Sequence, residues 1–414
     1  MSEGPYKLPE GWRWVRLGEI FDLQQGASMS PSRRLGRNPK PFLRTKNVLW
    51  GFVDVSNLDE MDFTEEEITK LCLQPGDLLV CEGGEVGRTA IWEGQLPVVL
   101  YQNHIHRLRR KSDQVEPAFF MYWMQAAYQV FRAYQGAESR TAIPNLSGRR
   151  LKSFLAPLPP LSEQRRIVAR IEELMARVRE AKRLRQEAKE DTERLWQAVL
   201  AETFPRPGAE LPKGWRWVKI EEVTLDAQPG FAFGKKKIVN GDLLHIRPFN
   251  IGVDGELDLS QKVYIPSTEV KATLFSLEPG DVLFNNTNSI ELVGKTAIVR
   301  EPLKAAWSNH ITRLRPDTSR CEPGWLAFSL YVLWLQGFFA RNCNKWIGQA
   351  GFNTDALKAT EIPLPPLSEQ RRIVAHLEAV QAKIRALKEA QAATDAELQR
   401  LEQAILEKAF RGEL

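Results

Sequence analysis

Two segments of the chain have the hydrophobic pattern of long helices. One extends from Ser162 to Pro205 and the other from Ser368 to Gly412, and neither contains a proline or glycine in between. Each serine follows a proline-rich stretch, where a helix N-cap is favoured. Apolar residues then recur at steps of three and four, as in helices that pack side by side. The predicted seam consists of Ile171, Leu174, Val178 and Leu195 in the first helix and Leu377, Val380, Ile384, Leu387 and Leu398 in the second.

Polar residues interrupt both stripes near the middle, at Arg185 and Thr192 in the first helix and at Gln391 and Thr394 in the second. A helix of this length, roughly 60 Å at 1.5 Å per residue, cannot bury its stripe alone. Because one globular segment separates the two helices, we expect them to pair as an antiparallel coiled coil within the chain. The alternative is that each helix packs on its own globular domain.

The helices belong to an internal repeat of the whole chain. Residues 157–169 recur without change at 363–375, and residues 8–15 recur at 211–218 with one substitution. Between these anchors, a Pro-Gly-Asp segment and an Asn-His-Ile segment occur in the same order in both halves. The chain is therefore two copies of one unit, each a globular part followed by a long helix.

The globular parts predict mixed secondary structure. Short β-rich stretches lie between glycine turns, and each part has one aromatic helical stretch, at 118–134 and at 325–339. We expect an α+β protein with two pseudo-repeated mixed α/β domains. The predicted parts are a first domain over 1–157, a first long helix over 158–205, a second domain over 206–363 and a second long helix over 364–414.

The composition is that of a globular protein, with 43% hydrophobic and 26% charged residues among 414. No apolar run is long enough to cross a bilayer, and residues 1–9 lack the pattern of a signal peptide. We therefore expect a cytoplasmic protein that does not enter a membrane. The cysteines are scattered without a paired motif, which favours buried thiols over disulfides or zinc. They are Cys72, Cys81, Cys321 and Cys343.

A net charge of +5 is only weakly basic, but acids are absent from whole stretches. These stretches are 23–53 in the first half, and 227–241 and 323–353 in the second. A surface that follows DNA phosphates needs such segregation, because a nearby carboxylate would oppose the binding. Solvated basic loops without a partner are the alternative. The candidates for phosphate contact are Arg33, Arg34, Arg37, Lys40, Arg44, Lys46, Arg140, Lys235, Lys236, Lys237, Arg247 and Lys345.

The two copies differ most in these basic loops. Residues 24–41 have little in common with 227–240, and 81–85 (Cys-Glu-Gly-Gly-Glu) correspond to 285–289 (Asn-Asn-Thr-Asn-Ser). A shared frame with different tips suits two modules that read two different sequences. Amide side chains are among those that pair with base edges. The amide candidates are Asn145, Asn285, Asn286, Asn288 and Asn342.

The chemistry of an enzyme is not apparent. The Gly-Lys-Thr at 294–296 lacks the glycine that a phosphate loop needs at position 289. Asp77 and Glu82 lack the lysine of a metal-dependent nuclease, and His104 and His106 correspond to His310 and Thr312, so no metal pair is repeated. We expect neither a catalytic residue nor a metal site.

Taken together, these motifs resemble the specificity subunit of type I restriction–modification systems. Each copy has a Pro-Gly-Asp segment, an asparagine-containing segment (145–147 and 353–355), the Pro-Leu-Pro-Pro-Leu-Ser-Glu-Gln-Arg-Arg-Ile-Val-Ala motif and a long helix, so the resemblance covers the whole chain. It implies a non-catalytic DNA-binding subunit. Two target recognition domains would each read half of a bipartite asymmetric site, with the helices setting the spacer.

The resemblance also implies partners. Besides double-stranded DNA, these are two methyltransferase subunits and the restriction/translocase subunits, so that S-adenosylmethionine, ATP and magnesium would bind only in partner subunits and this chain would carry no cofactor. Two alternatives remain open. One is a coiled-coil scaffold with non-specific DNA binding, and the other is a self-contained DNA methyltransferase or nuclease.

Overall fold

The chain forms two compact units in the computed structural model, whose described residues are 4, 6–33, 35–83, 85–132, 146–233, 241–270 and 276–414. The first unit consists of Met1–Glu187 with Ala390–Leu414, and the second of Ala188–Glu389. Each unit therefore combines a globular domain with a part of both long helices.

The first unit is built on two sheets and an aromatic helix. Its strands are β1 (Arg13–Arg16), β2 (Phe21–Gln25), β3 (Pro39–Leu43), β4 (Val48–Leu49), β5 (Phe52–Val53), β6 (Asp59–Asp62), β7 (Leu78–Cys81), β8 (Thr89–Ile91), β9 (Leu100–Tyr101), β10 (Ile105–Arg110) and β11 (Leu155–Leu158). Its helices are α1 (Leu17–Ile20), α2 (Glu65–Leu71), α3 (Pro117–Gln129) and α4 (Gly148–Ser153), and the long helix α5 (Leu161–Thr203) begins in it. The main sheet is antiparallel with the order β2-β10-β7-β8, and the second has the order β6-β3-β9.

Strand β7 shows why the first domain has a core on each side of its main sheet. The strand is buried along its whole length. Successive side chains of a strand point to opposite faces, so Leu78 and Val80 join the core around α3, whereas Leu79 and Cys81 join a second core with Phe42. Burial raises the pKa of the Cys81 thiol to about 11, which keeps it protonated at neutral pH.

The second unit repeats this plan. Its strands are β12 (Arg216–Lys219), β13 (Thr224–Pro229), β14 (Leu243–Ile246), β15 (Tyr264–Ile265), β16 (Ser276–Leu277), β17 (Val282–Asn285), β18 (Thr287–Asn288), β19 (Thr296–Ile298), β20 (Leu303–Trp307), β21 (Ile311–Pro316), β22 (Asn344–Trp346), β23 (Gln349–Gly351) and β24 (Glu361–Leu364). Its helices are α6 (Pro323–Leu335), α7 (Phe338–Asn342), α8 (Thr354–Lys358) and the long helix α9 (Leu367–Arg411). The sheet order β13-β21-β17-β19 matches the main sheet of the first unit, and β15-β14-β20 matches its second sheet, with β16 added as a fourth strand, so the predicted repeat of mixed helix and strand is confirmed.

The repeated sequence motifs meet where each domain joins a long helix. Strand β1 pairs antiparallel with β11, and β12 pairs in the same way with β24, so the Trp-Arg-Trp-Val segment lies against the Pro-Leu-Pro segment in both copies. An indole of the aromatic helix also contacts each joint, from a different position in each copy: the N–H of Trp123 donates to the Leu155 carbonyl, whereas that of Trp325, which corresponds to Phe119, donates to the Pro363 carbonyl. The identical residues therefore hold one structural joint that occurs twice.

A buried glutamine completes each joint. The Gln164 side-chain oxygen accepts a hydrogen bond from the backbone N–H of Glu116 at 2.9 Å, and its amide donates to the Pro159 carbonyl at 2.9 Å. Gln370 makes the same contacts with Glu322 and Pro365, both at 2.8 Å. These bonds satisfy backbone groups at the start of the aromatic helix that would otherwise be buried without partners.

The long helices begin one residue earlier than the predicted serine caps, at Leu161 and Leu367. The Pro160 carbonyl accepts the N–H groups of Glu163 and Gln164, so Ser162 lies inside the first turn and is not the N-cap. A proline fits before a helix because its fixed φ suits the first turn and its missing N–H leaves no donor there.

Much of the predicted seam is buried, but against more than the partner helix. In the first unit Ile171 and Val178 are buried, and Leu174 and Leu398 lie beside them, in a core that includes α3. In the second unit Leu377 and Ile384 are buried, and Val380 is partly buried, in a core that includes α6. The helical segments thus contact both each other and a globular domain. The predicted pairing of the helices and the alternative, packing on a globular domain, therefore occur together.

Leu195 and Leu387 are a correction to the predicted seam, because 57% and 47% of their surfaces are exposed. A straight α-helix turns by about 20° per heptad relative to a strict seven-residue repeat. The buried face of α5 therefore shifts to Thr192, Trp196 and Leu200 by the end of the helix. At Leu195 the prediction continued the heptad too far, whereas at the middle of α9 the buried position is Gln391 and not Leu387.

Polar residues join the helical segments near their middles. In the first unit Lys182 pairs with Glu402 at 2.7 Å and Arg185 with Asp395 at 3.7 Å, so the two segments run in opposite directions. Arg185 also donates to the backbone carbonyl of Gln391. Two of the residues that interrupt the apolar stripes, Arg185 and Gln391, are thus part of the helix–helix contact. None of the described helices is both long and apolar enough to span a bilayer.

Candidate nucleic-acid interface

Several sequence-predicted DNA contacts cannot be placed, because they lie outside the described residues. These are Arg34, Arg140, Asn145, Lys235, Lys236 and Lys237. The remaining candidates fall into four groups, which are the basic loop of the first domain, Arg247 after β14, the asparagines at and after the end of β17, and the region of the hairpin formed by β22 and β23.

Three cations of the first basic loop are paired with acids of their own domain. The Arg33 guanidinium binds Glu67 through two hydrogen bonds of 3.0 and 2.5 Å, and this pairing lowers the pKa of the Glu67 carboxyl. Arg44 and Lys46 share Asp59, at 2.8 and 3.5 Å. These pairs hold the basic loop against β6 and α2, so much of its positive charge is neutralised locally.

Arg37 and Lys40 are the two placed cations of this loop for which no ion pair with a described residue is found; Arg37 is exposed and Lys40 half-buried on β3. Asp62 shapes the turn that contains Arg37 by accepting the backbone N–H groups of Leu35 at 3.0 Å and Asn38 at 2.8 Å. A turn fixed by a carboxylate can present Arg37 to solvent in a defined position.

Arg247 is the structural counterpart of Arg44. In each copy the backbone N–H of the arginine donates to the side-chain oxygen of an asparagine three residues later. This asparagine is Asn47, at 2.9 Å, or Asn250, at 3.0 Å. Arg44 has a carboxylate partner, whereas Nε and Nη2 of Arg247 are buried and lack a hydrogen-bond partner among the described residues. Burial lowers the pKa of Arg247. This cation therefore lacks the neutralising acid that its counterpart has.

Asn285 and Asn286 are buried, so they do not present their amides to a ligand as the sequence predicted. When the Asn285 side-chain amide is oriented so that its nitrogen and oxygen both have hydrogen-bond partners, the nitrogen donates to the carbonyls of Thr287 and His310. The oxygen then accepts from the Asn288 amide at 2.7 Å. The Asn286 amide donates to the Thr312 hydroxyl at 3.0 Å. Both residues hold the loop that carries Asn288, which is half-buried.

The positions equivalent to Asn286 and Thr312 have different side chains in the first domain. Glu82, the counterpart of Asn286, lies 3.8 Å from the His106 ring, and His106 is the counterpart of Thr312. Burial lowers the pKa of His106, so the ring is neutral at pH 7. The two positions have changed together between the copies, from acid and imidazole to amide and hydroxyl.

The Gly-Lys-Thr segment is structural, because the Lys295 ammonium is buried and donates to the carbonyl of Ile251 at 2.5 Å. Burial also lowers the pKa of Lys295. In the other copy Arg88 donates to the carbonyl of Thr45, which corresponds to Pro248, a second carbonyl that the Lys295 ammonium reaches at 3.4 Å. No cluster of His, Cys, Asp and Glu within the described ranges is arranged to hold a metal ion.

The predicted correspondence of 145–147 with 353–355 needs a shift of two residues. The Leu146 N–H donates to the Glu82 carbonyl, and the Phe352 N–H donates to the Asn286 carbonyl, both at 2.8 Å. Ser147 and Asn353 then occupy the equivalent N-cap positions of α4 and α8. Asn353 therefore corresponds to Ser147, and the shared serine-or-asparagine preference at caps explains the misleading likeness.

The fourth group is a projecting hairpin. Strands β22 and β23 pair through Trp346 and Gln349, and β18 adds a third strand through Asn288 and Ala350. Lys345 is exposed on β22, and the exposed Asn342 ends α7 just before it, with its amide bonded to the Phe338 carbonyl at 2.8 Å. The hairpin sheet thus brings Asn288 and Lys345 onto one small structure.

Sequence reasoning missed two residues of this hairpin. Trp346 is 60% exposed and the Ile347 side chain is fully exposed at the turn. Both residues lie in the acid-free stretch 323–353, but large apolar side chains are normally assigned to a core. Only the pairing of β22 with β23 places them at a tip.

Comparison with known proteins identifies the group to which this architecture belongs. The family described as "Type I restriction modification DNA specificity domain" matches residues 9–190 and 212–394, one copy in each half. The chain belongs to this family. Both matches extend from a globular domain into a long helix, so the family's unit is the repeat found in the sequence.

Full-length relatives of this specificity family are similar to the chain. It is 24% identical to the type I restriction enzyme EcoBI specificity subunit of Escherichia coli, over 99% of this chain and 88% of the relative. It is also 24% identical to the EcoKI specificity subunit of Escherichia coli strain K12, over 100% of this chain and 91% of the relative. The similarity therefore includes both domains and both helices.

Solved structures of the specificity family have the same fold. A chain from a structure of complex assembly and conformational transition of the type I R-M system has a TM-score of 0.79 and 32% identity, covering 99% of this chain and all of that one. The HsdS subunit from Thermoanaerobacter tengcongensis has a TM-score of 0.62 and 33% identity, with both chains fully covered. The two-repeat architecture is that of this family.

Proposed function

We propose that the chain recognises a bipartite, asymmetric DNA site, with each globular domain reading one half. The observation that carries this proposal is the duplicated frame with unlike tips: the joints at Gln164 and Gln370 are the same, whereas Glu82 and His106 are replaced by Asn286 and Thr312. As a specificity subunit of a type I restriction enzyme, the chain is a DNA-recognition component and not a catalytic one.

The residues that contact DNA are a smaller set than the basic loops suggested. Cations without a neutralising acid are the better phosphate ligands, since each contact releases counterions without breaking an internal ion pair. In the described part of the chain the proposed contacts are Arg37 and Lys40 in the first domain, and Arg247, Asn288, Asn342 and Lys345 in the second. Asn285 and Asn286 instead position the loop that carries Asn288.

The long helices form an antiparallel coiled coil that sets the spacer between the half-sites. The ion pairs Lys182–Glu402 and Lys388–Glu193 support this pairing, one within each unit. Modules that read one face of a duplex must be separated by about one helical turn of DNA, roughly 34 Å. Helices of about 60 Å are long enough to fix such a distance.

The partners of this subunit are double-stranded DNA, two methyltransferase subunits and the restriction/translocase subunits. S-adenosylmethionine, ATP and magnesium serve those partner subunits. The names of the full-length relatives support this proposal, since each is a specificity subunit of a restriction enzyme.

Mapping methylated adenines tests the proposal. Cells that express the chain with the methyltransferase subunit of its system should carry one split motif, found by single-molecule sequencing of their genomic DNA. A cell that lacks the chain but keeps the methyltransferase is the control, and its genome should lack the motif. If no motif depends on the chain, the proposal fails.

The alternatives predict different results for the purified chain. A scaffold with non-specific DNA binding would bind unrelated DNA as tightly as the mapped motif, whereas the proposed specificity subunit prefers the motif. Both kinds of binding weaken as salt rises, because both depend on phosphate contacts. A self-contained enzyme would cleave or methylate DNA without partners. The proposed specificity subunit does neither when supplied with magnesium or S-adenosylmethionine.

A further inference from the structure

The turn of the β22–β23 hairpin exposes two large apolar side chains side by side. Ile347 and Gly348 form the two-residue loop, since Trp346 pairs with Gln349 across it. Ile347 is fully exposed, and Trp346 is 60% exposed. Soluble proteins seldom leave neighbouring apolar residues projecting into water at a tip unless they contact a ligand.

The tip is held rigidly. One face of the Trp346 ring rests on Gly351, where an added Cβ would lie 2.8 Å from the ring. The hairpin pairs with β18, and the neighbouring Ala350 is buried in the core of the second unit. Gly348 has a φ of 76°, which a glycine adopts without strain. The exposed pair therefore projects from a fixed sheet.

The surroundings of the tip select an anionic partner. Between residues 323 and 353 the chain has no acid, and the exposed Arg341 and Lys345 lie just before the turn. The other exposed side chains of the hairpin are the amides of Asn344 and Gln349. Two side chains form a smaller patch than the interface of a specific protein complex. A basic hairpin with a protruding apolar tip instead matches proteins that bend DNA.

We propose that Trp346 and Ile347 form a wedge that inserts between base pairs of the half-site read by the second domain. This inference rests on the proposed function. Architectural DNA-binding proteins insert apolar side chains between base steps, which unstacks the bases and kinks the duplex. Here Ile347 enters the step and the free face of the Trp346 ring stacks on a displaced base. The cost of unstacking depends on the bases at the step, so the wedge adds sequence preference without hydrogen bonds to them.

The wedge is tested with duplexes that carry the mapped motif and one 2-aminopurine, moved in turn through every position of the second half-site except the methylated adenine, which a methyltransferase itself takes out of the stack. The emission of this base analogue rises when it is unstacked. With the full-length protein and its methyltransferase subunit, we expect increased emission at one step and a loss of this increase in Ile347→Ser and Trp346→Ala. The affinity of these variants for the motif should fall about tenfold.

Leu225→Ser is the matched control, since Leu225 is an aliphatic residue of the same unit that is 69% exposed on β13. With Leu225→Ser, the 2-aminopurine emission of the duplex and the affinity for the motif should equal those measured with the wild type. Ile347→Ser removes only an exposed side chain, so it tests the wedge even if Trp346→Ala disturbs the hairpin.

The outcomes separate this inference from the proposed function. If the wild type prefers the motif over unrelated DNA but no position brightens, or if Ile347→Ser behaves as the wild type, the wedge is refuted and the proposed function stands. If Ile347→Ser loses the methyltransferase subunit and keeps its DNA affinity, the tip is a protein contact, and the wedge is again refuted. A wild type without any sequence preference overturns both.

Discussion

The two domains have kept one set of buried polar contacts and exchanged another. Arg109 binds Asp77 through hydrogen bonds of 2.7 and 2.6 Å, and Arg315 binds Asp281 at 2.8 and 2.7 Å. Both aspartates are buried and lie in the Pro-Gly-Asp turns. Beside them, toward the loop tips, Glu82 has become Asn286. Contacts that support the sheet are thus constant, whereas those that support the tips vary as matched pairs.

The difference follows from what each contact costs to break. Removing one partner of an ion pair with a buried member leaves a charge without its compensation, so a single change in either Arg–Asp pair is costly. A neutral amide and hydroxyl can replace an acid and imidazole when both change, because the new pair satisfies its own hydrogen bonds. The tips can therefore diverge without loss of the frame.

The largest expected effect is on the constant contacts. Asp281→Ala should lower the free energy of unfolding by about 3 kcal/mol, because it leaves the Arg315 charge without its buried partner. Asp77→Ala should cost a similar amount through Arg109. Urea denaturation followed by circular dichroism measures both. If one aspartate is dispensable, the two frames are not equivalent.

The glutamine joints should be equivalent as well, with a smaller effect. Gln164→Ala and Gln370→Ala should each cost about 2 kcal/mol, because the N–H of Glu116 or of Glu322 loses its acceptor in a buried place. The same denaturation experiment applies. Gln125→Ala on α3, a residue bonded only to Gln129 in the described structure, is the control and should change little.

Equal costs in both units would support a shared joint. A cost confined to one unit would mean that the identical motifs have separate roles, and the comparison between the domains would then hold only at the level of the sheets.

The variable contacts should differ in DNA binding. Arg247→Ala should weaken binding to the mapped motif about tenfold and reduce the slope of log affinity against log salt by about one, because one phosphate contact is lost. Arg44→Ala, its counterpart, should have little effect because Asp59 already neutralises that charge. Fluorescence anisotropy over a range of salt concentrations measures both. Equal losses would contradict the distinction between paired and unpaired arginines.

The smallest effect is confined to acid. Burial, with a further contribution from the nearby Arg247 charge, lowers the pKa of His245 to about 4. Since the unfolded chain binds this proton near pH 6.5, the second unit should lose stability as the pH falls from about 6.5 to about 4. Phe42 is the counterpart of His245 in the first unit, and it cannot titrate.

His245→Phe should therefore leave the stability at pH 7 nearly unchanged and reduce its decline below pH 6.5. Neither ring nitrogen of His245 has a hydrogen-bond partner in the described structure, so the substitution sacrifices no contact there. Urea denaturation at pH 7 and pH 5 gives the comparison. An unchanged decline would show that other groups cause the acid sensitivity.

The internal repeat made the division of the chain into two similar domains and two long helices predictable. The identical 157–169 and 363–375 segments and the unbroken apolar periodicity implied two similar domains and two long helices. The helix phase was not predictable as far as Leu195, because a heptad pattern drifts relative to a straight helix and Trp196 is buried against the second domain instead.

The candidate site was less predictable, because its character depends on contacts between distant parts of the chain. Arg33 looks like a free cation in sequence, but its partner Glu67 lies 34 residues away. Asn285 looks like a base reader until strand pairing buries it. Conversely, Ile347 looks like a core residue until a hairpin turn exposes it. Charge and residue type indicated candidate residues, and burial separates the candidates that are accessible to a ligand from those that are not.

The proposed function requires each domain to read its own half of the site. The decisive experiment uses a chain in which residues 206–363 are replaced by a second copy of 1–157, expressed with the methyltransferase subunit and examined by single-molecule sequencing of the methylated genome. We expect the asymmetric motif to become symmetric, with both halves equal to the half that the first domain reads. A folded chimera that still methylates the original asymmetric motif would contradict the proposed function.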